Sequence, residues 1–149
     1  MEFEYITHSA DETEEIGKRL SSSLINAKIE RAFIAMRGEM GVGKTAFVRG
    51  FCSSFGISGV KSPTYTVVNE YRGTHRVFHF DMYRIESEDD LISIGYDDYV
   101  SADGFCIAEW SENVEELLPE DVITVTVERL PDNENSRMIK IDTTLVSEV

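Results

Sequence analysis

The chain has 149 residues, 42% hydrophobic and 28% charged, the balance of one globular domain rather than a disordered or fibrous chain. No apolar run approaches membrane-spanning length, and the acidic start Met1-Glu2-Phe3-Glu4-Tyr5 lacks a secretion-signal layout, so a cytoplasmic protein with no membrane partner is expected. The net charge of −14 is uneven: residues 31–84 hold eight basic residues against three acidic ones, and residues 86–121 hold thirteen acidic and no basic ones, a stretch that repels nucleic acid unless it is only solvated surface.

In chain order, residues 3–6 read as an edge strand. Ser9-Ala10-Asp11-Glu12 is a capping box that opens a helix with the apolar stripe Ile16, Leu20 and Leu24. Phe33-Ile34-Ala35-Met36 reads as a buried strand. It leads into Gly38-Glu39-Met40-Gly41-Val42-Gly43-Lys44-Thr45, a complete G-x-x-x-x-G-K-[ST] phosphate loop (Walker A), and residues 45–52 continue as a helix. The glycines let the backbone curl so that its N–H groups face a β-phosphate, with a helix N-terminus behind them. Residues 38–46, including Ala46, are therefore the nucleotide-binding candidates. Lys44 reaches the β- and γ-oxygens, and the Thr45 hydroxyl is a Mg²⁺ ligand.

Residues 55–59 end this helix. Ser62-Pro63-Thr64 is extended or turn-like. Thr64 falls where many phosphate-loop proteins carry a switch threonine, and a plain turn residue is an equal reading. Residues 65–71 and 76–82 form a hairpin around Arg72-Gly73-Thr74-His75. Ser87 caps a short helix to about residue 95, residues 104–110 form a buried strand, and a short helix over 113–118 stops at Pro119. Residues 121–129 and 137–142 form two strands around residues 131–135, and residues 147–149 are expected to fray. Cys52 and Cys106 are expected as reduced, half-buried thiols, and the three histidines show no zinc spacing.

Strands alternating with helices, flanked by hairpins, give an α/β single domain over residues 1–149. Its sheet is mixed and mostly parallel, with helices on both faces and the phosphate loop at the carboxyl edge. Hydrolysis needs acids beside the loop, and two strands end on one: Val77-Phe78-His79-Phe80-Asp81 and Phe105-Cys106-Ile107-Ala108-Glu109. Asp81 and Glu109 are candidates for Mg²⁺ ligation, directly or through water. Glu109 is favoured to orient the attacking water, with the two roles exchangeable. His79 shares a strand face with Asp81 and is either its supporting partner or a structural histidine. Trp110, the only tryptophan, either packs near the nucleotide or closes the core. A small-molecule kinase is the main rival reading. It would need lid arginines, and nothing basic lies between residues 85 and 128, leaving Arg129, Arg137 or Lys140. A GTPase would need an N-K-x-D motif, which is missing. A nucleotide-dependent interaction module without hydrolysis is the third.

These pieces carry a family resemblance. Gly38-x-x-Gly41-x-Gly43-Lys44-Thr45 with Arg49-Gly50, Ser62-Pro63-Thr64-Tyr65, His79-x-Asp81-x-Tyr83-Arg84 and Glu109-Trp110 occur in the order seen in the TsaE family. The chain resembles these small bacterial ATPases of tRNA threonylcarbamoyladenosine biosynthesis from the Glu12-Thr13 helix to Leu118-Pro119. The resemblance implies an Mg²⁺-dependent ATPase, slow alone and stimulated by its partners TsaD and TsaB. Those partners modify adenosine 37 of tRNA, so tRNA is met only indirectly. It also implies that Thr13 contacts the nucleotide and that Trp110 lies close to the active site. Met40, Val42 and Ala46 depart from the usual loop residues without touching its backbone chemistry. Ser111 stands where proline is frequent, and the strands after about Arg129 carry little of the family pattern. Residues 95–99, Gly95-Tyr96-Asp97-Asp98-Tyr99, are expected as an exposed, aromatic-rich partner contact.

Overall fold

Runs that are apolar on both faces, such as residues 33–36 and 105–108, must be covered on both sides, and this sets the architecture. The computed structural model describes residues 1–39, 41–61 and 68–149. Its elements are β1 (Glu2–Thr7), α1 (Ala10–Asn26), β2 (Arg31–Arg37), α2 (Lys44–Ser53), β3 (Val68–Arg72), β4 (Arg76–Asp81), α3 (Glu88–Ser93), α4 (Tyr96–Ser101), β5 (Gly104–Glu109), a 3-10 helix (Ser111–Leu117), β6 (Ile123–Leu130) and β7 (Asn133–Asp142). They form one seven-stranded sheet in the order β1-β7-β6-β2-β5-β4-β3. The middle, β6-β2-β5-β4, is parallel. The flanks are antiparallel, β3 on one edge and the β7–β1 pair on the other. The expected mixed α/β sheet is thus the observed one.

Alternation along the strands divides the core in two. Ile34 and Met36, Val77, Phe105 and Ile107, and Val125 and Val127 face α1 and α2. Phe33, Phe78 and Phe80, Cys106 and Ala108 face the other way, toward α3, α4 and the 3-10 helix. Cys52 and Cys106 are free thiols and fully buried, deeper than expected. Burial pushes both thiols up to about 12, so neither is a ready nucleophile.

Ser9 caps α1 as read, while Glu12 reaches one residue further back than a regular capping box. Ser9 Oγ accepts from Glu12 N–H at 3.1 Å, and Glu12 Oε2 reaches back to His8 N–H at 2.8 Å. The stripe Ile16, Leu20 and Leu24 is buried against the sheet and α2. Where the two helices cross, backbone meets backbone at two glycines. A Cβ on Gly17 would overlap the Phe47 carbonyl, and one on Gly50 would overlap the Glu14 carbonyl.

Two expectations are corrected, one on residues 95–99 and one on the last hairpin. Residues 95–99 are not an exposed patch: they start α4, where Tyr96 is buried and Tyr99 half-buried. Both rings pack edge-on against Phe80, because positions three apart on a helix share a face. Residues 147–149, expected to fray, end in contact with β1 and α1. The Val149 carbonyl oxygen accepts from Tyr5 Oη at 3.2 Å and Arg19 Nη2 at 2.9 Å, and its side chain packs on the first core. The last hairpin turn is tighter than expected, with β7 beginning at Asn133. Among the described residues no helix is long and apolar enough to cross a membrane.

Gly50→Ala tests the helix crossing. Helix propensity alone favours alanine by about 1 kcal/mol. Overlap with the Glu14 backbone should dominate and destabilise the fold by about 2 kcal/mol or more. Urea unfolding measures the difference, and a stabilised variant would show that α1 can shift away freely.

Candidate functional site

β2 and β5 are neighbours, but their chains leave in opposite directions. After β2 the chain enters α2 on the first face, and after β5 it enters the 3-10 helix, whose Val114 belongs to the second core. Strands that part in this way leave a crevice at their carboxyl ends, which is where open α/β sheets hold ligands. The glycine-rich loop, Asp81, Glu109 and Trp110 all stand at this edge, because β2, β4 and β5 are parallel and end together.

The loop turns into α2 at Gly43, whose φ of 119° is strained for any residue with a side chain. Lys44 follows as the first helical residue and is buried, with only 5% of its surface exposed. Its Nζ donates to the Gly38 carbonyl at 2.8 Å, lies 3.7 Å from Glu109 Oε1, and sits 4.5 Å from the centre of the Trp110 ring. An ammonium over an indole face gains about 0.5–2 kcal/mol. Trp110 itself has φ 61° and ψ 39°, a left-handed conformation that is uncommon for a bulky residue and costs on the order of 1–2 kcal/mol. That turn directs the chain from β5 into the 3-10 helix while the ring lies over the lysine. Tyr83 stacks edge-on against the same ring at 5.5 Å and is exposed.

Glu109 is the hub. Its second oxygen, Oε2, lies 2.7 Å from His79 Nε2, and His79 is fully buried. In the β4–β5 register His79 faces Ile107, so Glu109 lies diagonally across one strand spacing. Burial alone would raise the Glu109 carboxyl. The hydrogen bond and charge of His79, with the charge of Lys44, outweigh it and hold the group below the usual glutamate range. His79 is therefore tied to Glu109 rather than to Asp81. Asp81 pairs with Glu109 in register on the neighbouring strand, is half-buried, and accepts from Tyr83 N–H at 3.0 Å through Oδ1.

A cleft of about 470 Å³ opens beside the loop, lined by His8, Ser9, Thr13, Gly41, Gly43, Ala46, Asn135 and Arg137 among others. Thr13 reaches it from α1, its hydroxyl 2.8 Å from that of Thr7. Thr45 lies half-buried beside Lys44, and Glu39 is exposed, its carbonyl accepting from Val42 N–H. Met40 and Thr64 lie outside the described residues. Two residues of the site were not singled out for this place in the sequence. Arg129 and Arg137, weighed there only as lid candidates, instead hydrogen-bond the carbonyls of Gly41 and Val42. Their position depends on the β6–β7 register, for which the sequence carries no motif.

The family model for "Threonylcarbamoyl adenosine biosynthesis protein TsaE" matches residues 7–139. The chain is 37% identical over 126 residues to a tRNA threonylcarbamoyladenosine biosynthesis protein TsaE of Haemophilus influenzae, covering 83% of this chain and 80% of that one. It is 36% identical over 116 residues to the protein of the same name from Bacillus subtilis, covering 72% of each. Among solved structures, that of Bacillus subtilis YdiB superimposes with a TM-score of 0.76 at 27% identity, covering 96% of this chain and 86% of the other.

The buried Glu109 charge predicts a pH effect. Its carboxyl is lowered in the folded state, so its stabilisation is present above the usual glutamate value and is lost as pH falls through the folded value. Between about pH 6 and pH 3, unfolding free energy should therefore fall less steeply in Glu109→Gln than in the unaltered protein. Urea titrations across that range check this, and equal slopes would mean Glu109 carries no lowered ionisation.

Proposed function

The chain belongs to the TsaE family of tRNA threonylcarbamoyladenosine biosynthesis proteins, and on that premise we propose that it binds Mg-ATP at the glycine-rich loop and hydrolyses it in the service of TsaD and TsaB. The observation that carries the reading is the meeting of Lys44, Glu109 and Trp110 at the crevice between β2 and β5. A buried ammonium with one carboxylate neighbour is poised to exchange its Gly38 and Glu109 contacts for phosphate oxygens. Loop N–H groups and the α2 N-terminus would hold the β-phosphate. The cleft beside Thr13 would take the nucleoside.

The residues present suit Mg²⁺. Among the described residues no group of three or more His, Cys, Asp and Glu side chains could cage a metal. Magnesium needs no such cage, since it keeps waters and phosphate oxygens as ligands and uses one or two protein oxygens. Thr45 and Asp81 would supply those oxygens, and the bound ion would neutralise charge on the transferring phosphoryl group. Glu109, fixed by Lys44 and His79 at the end of β5, would orient the attacking water. The kinase reading is disfavoured because Arg129 and Arg137 spend their hydrogen bonds on the loop rather than over a second substrate.

Three measurements test this. Phosphate release should rise when TsaD and TsaB are added, and capture of a phosphorylated metabolite instead would establish the kinase. Lys44→Ala should lose Mg-ATP binding and all turnover. Glu109→Gln should keep binding while turnover falls about a hundredfold or more. Undiminished turnover in Glu109→Gln would remove that residue from the chemistry, and binding without turnover in the unaltered protein would favour an interaction module.

A further inference from the structure

The β6–β7 hairpin touches the glycine-rich loop at two points that the proposed chemistry does not use. β6 pairs with β2 as far as Arg37↔Thr126 and then runs on to Leu130, past the end of β2. Arg129 and Arg137 are direct cross-strand partners on this overhang, so both side chains leave the same face beside the loop. Arg137 Nε donates to the Val42 carbonyl at 2.7 Å, and Arg129 Nη2 donates to the Gly41 carbonyl at 3.2 Å. Arg137 is half-buried, and its Nη1 also donates to the carbonyls of Glu134 at 2.6 Å and Ser136 at 2.9 Å. The guanidinium is thus fixed by its own turn before it meets the loop.

In a trans peptide the C=O and N–H point in opposite directions. Holding the Val42 carbonyl toward the hairpin turns the Gly43 N–H away from it. Holding the Gly41 carbonyl does the same for the Val42 N–H, which donates to the Glu39 carbonyl at 3.3 Å. Gly43 has no side chain to resist rotation about its own φ, so an outside contact on the Val42 carbonyl helps to fix this peptide plane. We propose that Arg137, assisted by Arg129, is a positioning residue that fixes the Val42–Gly43 peptide so that the Gly43 N–H is presented to a bound β-phosphate, which makes phosphate affinity depend on the C-terminal hairpin. The inference rests on the nucleotide reading of the loop.

The test uses the full chain and compares it with Arg137→Met, which keeps the aliphatic stem. Calorimetric titration with Mg-ADP and with inorganic pyrophosphate should show affinity lost by about ten- to a hundredfold, the size of one hydrogen bond to a charged group. The loss should be the same at about 0.05 M and 0.5 M salt, because a clamp acts through geometry whereas a bare charge is screened. Arg129→Met, at an exposed residue, should lose about two- to threefold and remains usable if Arg137→Met fails to fold. In the ligand-free protein the Gly43 amide should give one sharp NMR resonance, broadened or doubled in Arg137→Met. Unchanged affinity, or a loss that disappears at high salt, would overturn the proposal. Should the unaltered protein bind neither ligand, the nucleotide reading fails on its own account. An unshifted Gly43 resonance in Arg137→Met would then separately dispose of the clamp.

Discussion

A carboxylate, an ammonium and an imidazole share one nearly dry space at the carboxyl edge of the sheet. Taking charges out of water costs several kcal/mol per ion unless each finds a partner. Here the partners come from three separate elements: Glu109 from β5, Lys44 from α2 and His79 from β4. Glu109 bridges the other two, so the pairing ties the start of α2 to β4 and the end of β5. The glycine-rich loop hangs between these anchors, with Lys44 also holding its first carbonyl, that of Gly38. The charged groups at this edge are thus brought together by the fold itself.

The division of the sheet into two apolar faces explains why these elements meet. Alternating residues send α1 and α2 to one side and α3, α4 and the 3-10 helix to the other. The crevice lies where the two systems separate. Trp110 stands at that divide in a left-handed conformation, with Lys44 on its ring face and Tyr83 at its edge. Backbone strain placed beside the most charged part of the site fits a residue held by its surroundings rather than by its own preference.

Much of this was legible in the sequence, for a physical reason. The motif at residues 38–45 is made of consecutive positions, so it could be read without tertiary information. Asp81 and Glu109 were legible because parallel strands of similar length end at one edge, and an acid closing an apolar run marks that edge. The burial of Tyr96 was hidden by the acids around it, which suggested an exposed segment although positions 96 and 99 share a helix face. The link of His79 to Glu109 rather than Asp81 needed the β4–β5 register. The two arginines on the loop needed the length of β6 beyond β2, a property of pairing that no local pattern encodes.

The crossing of α1 and α2 has one more implication. Glycine meets main chain there in both directions, Gly17 against Phe47 and Gly50 against Glu14, so at these two points no side chain can yield. Helices cushioned by side chains slide past one another by small rotamer changes; these two are denied that freedom. The helix that carries Lys44 and the helix that carries Thr13 must tilt or translate as a single block, so adjustment to a guest falls to the connecting segments and to the opposite wall of the crevice.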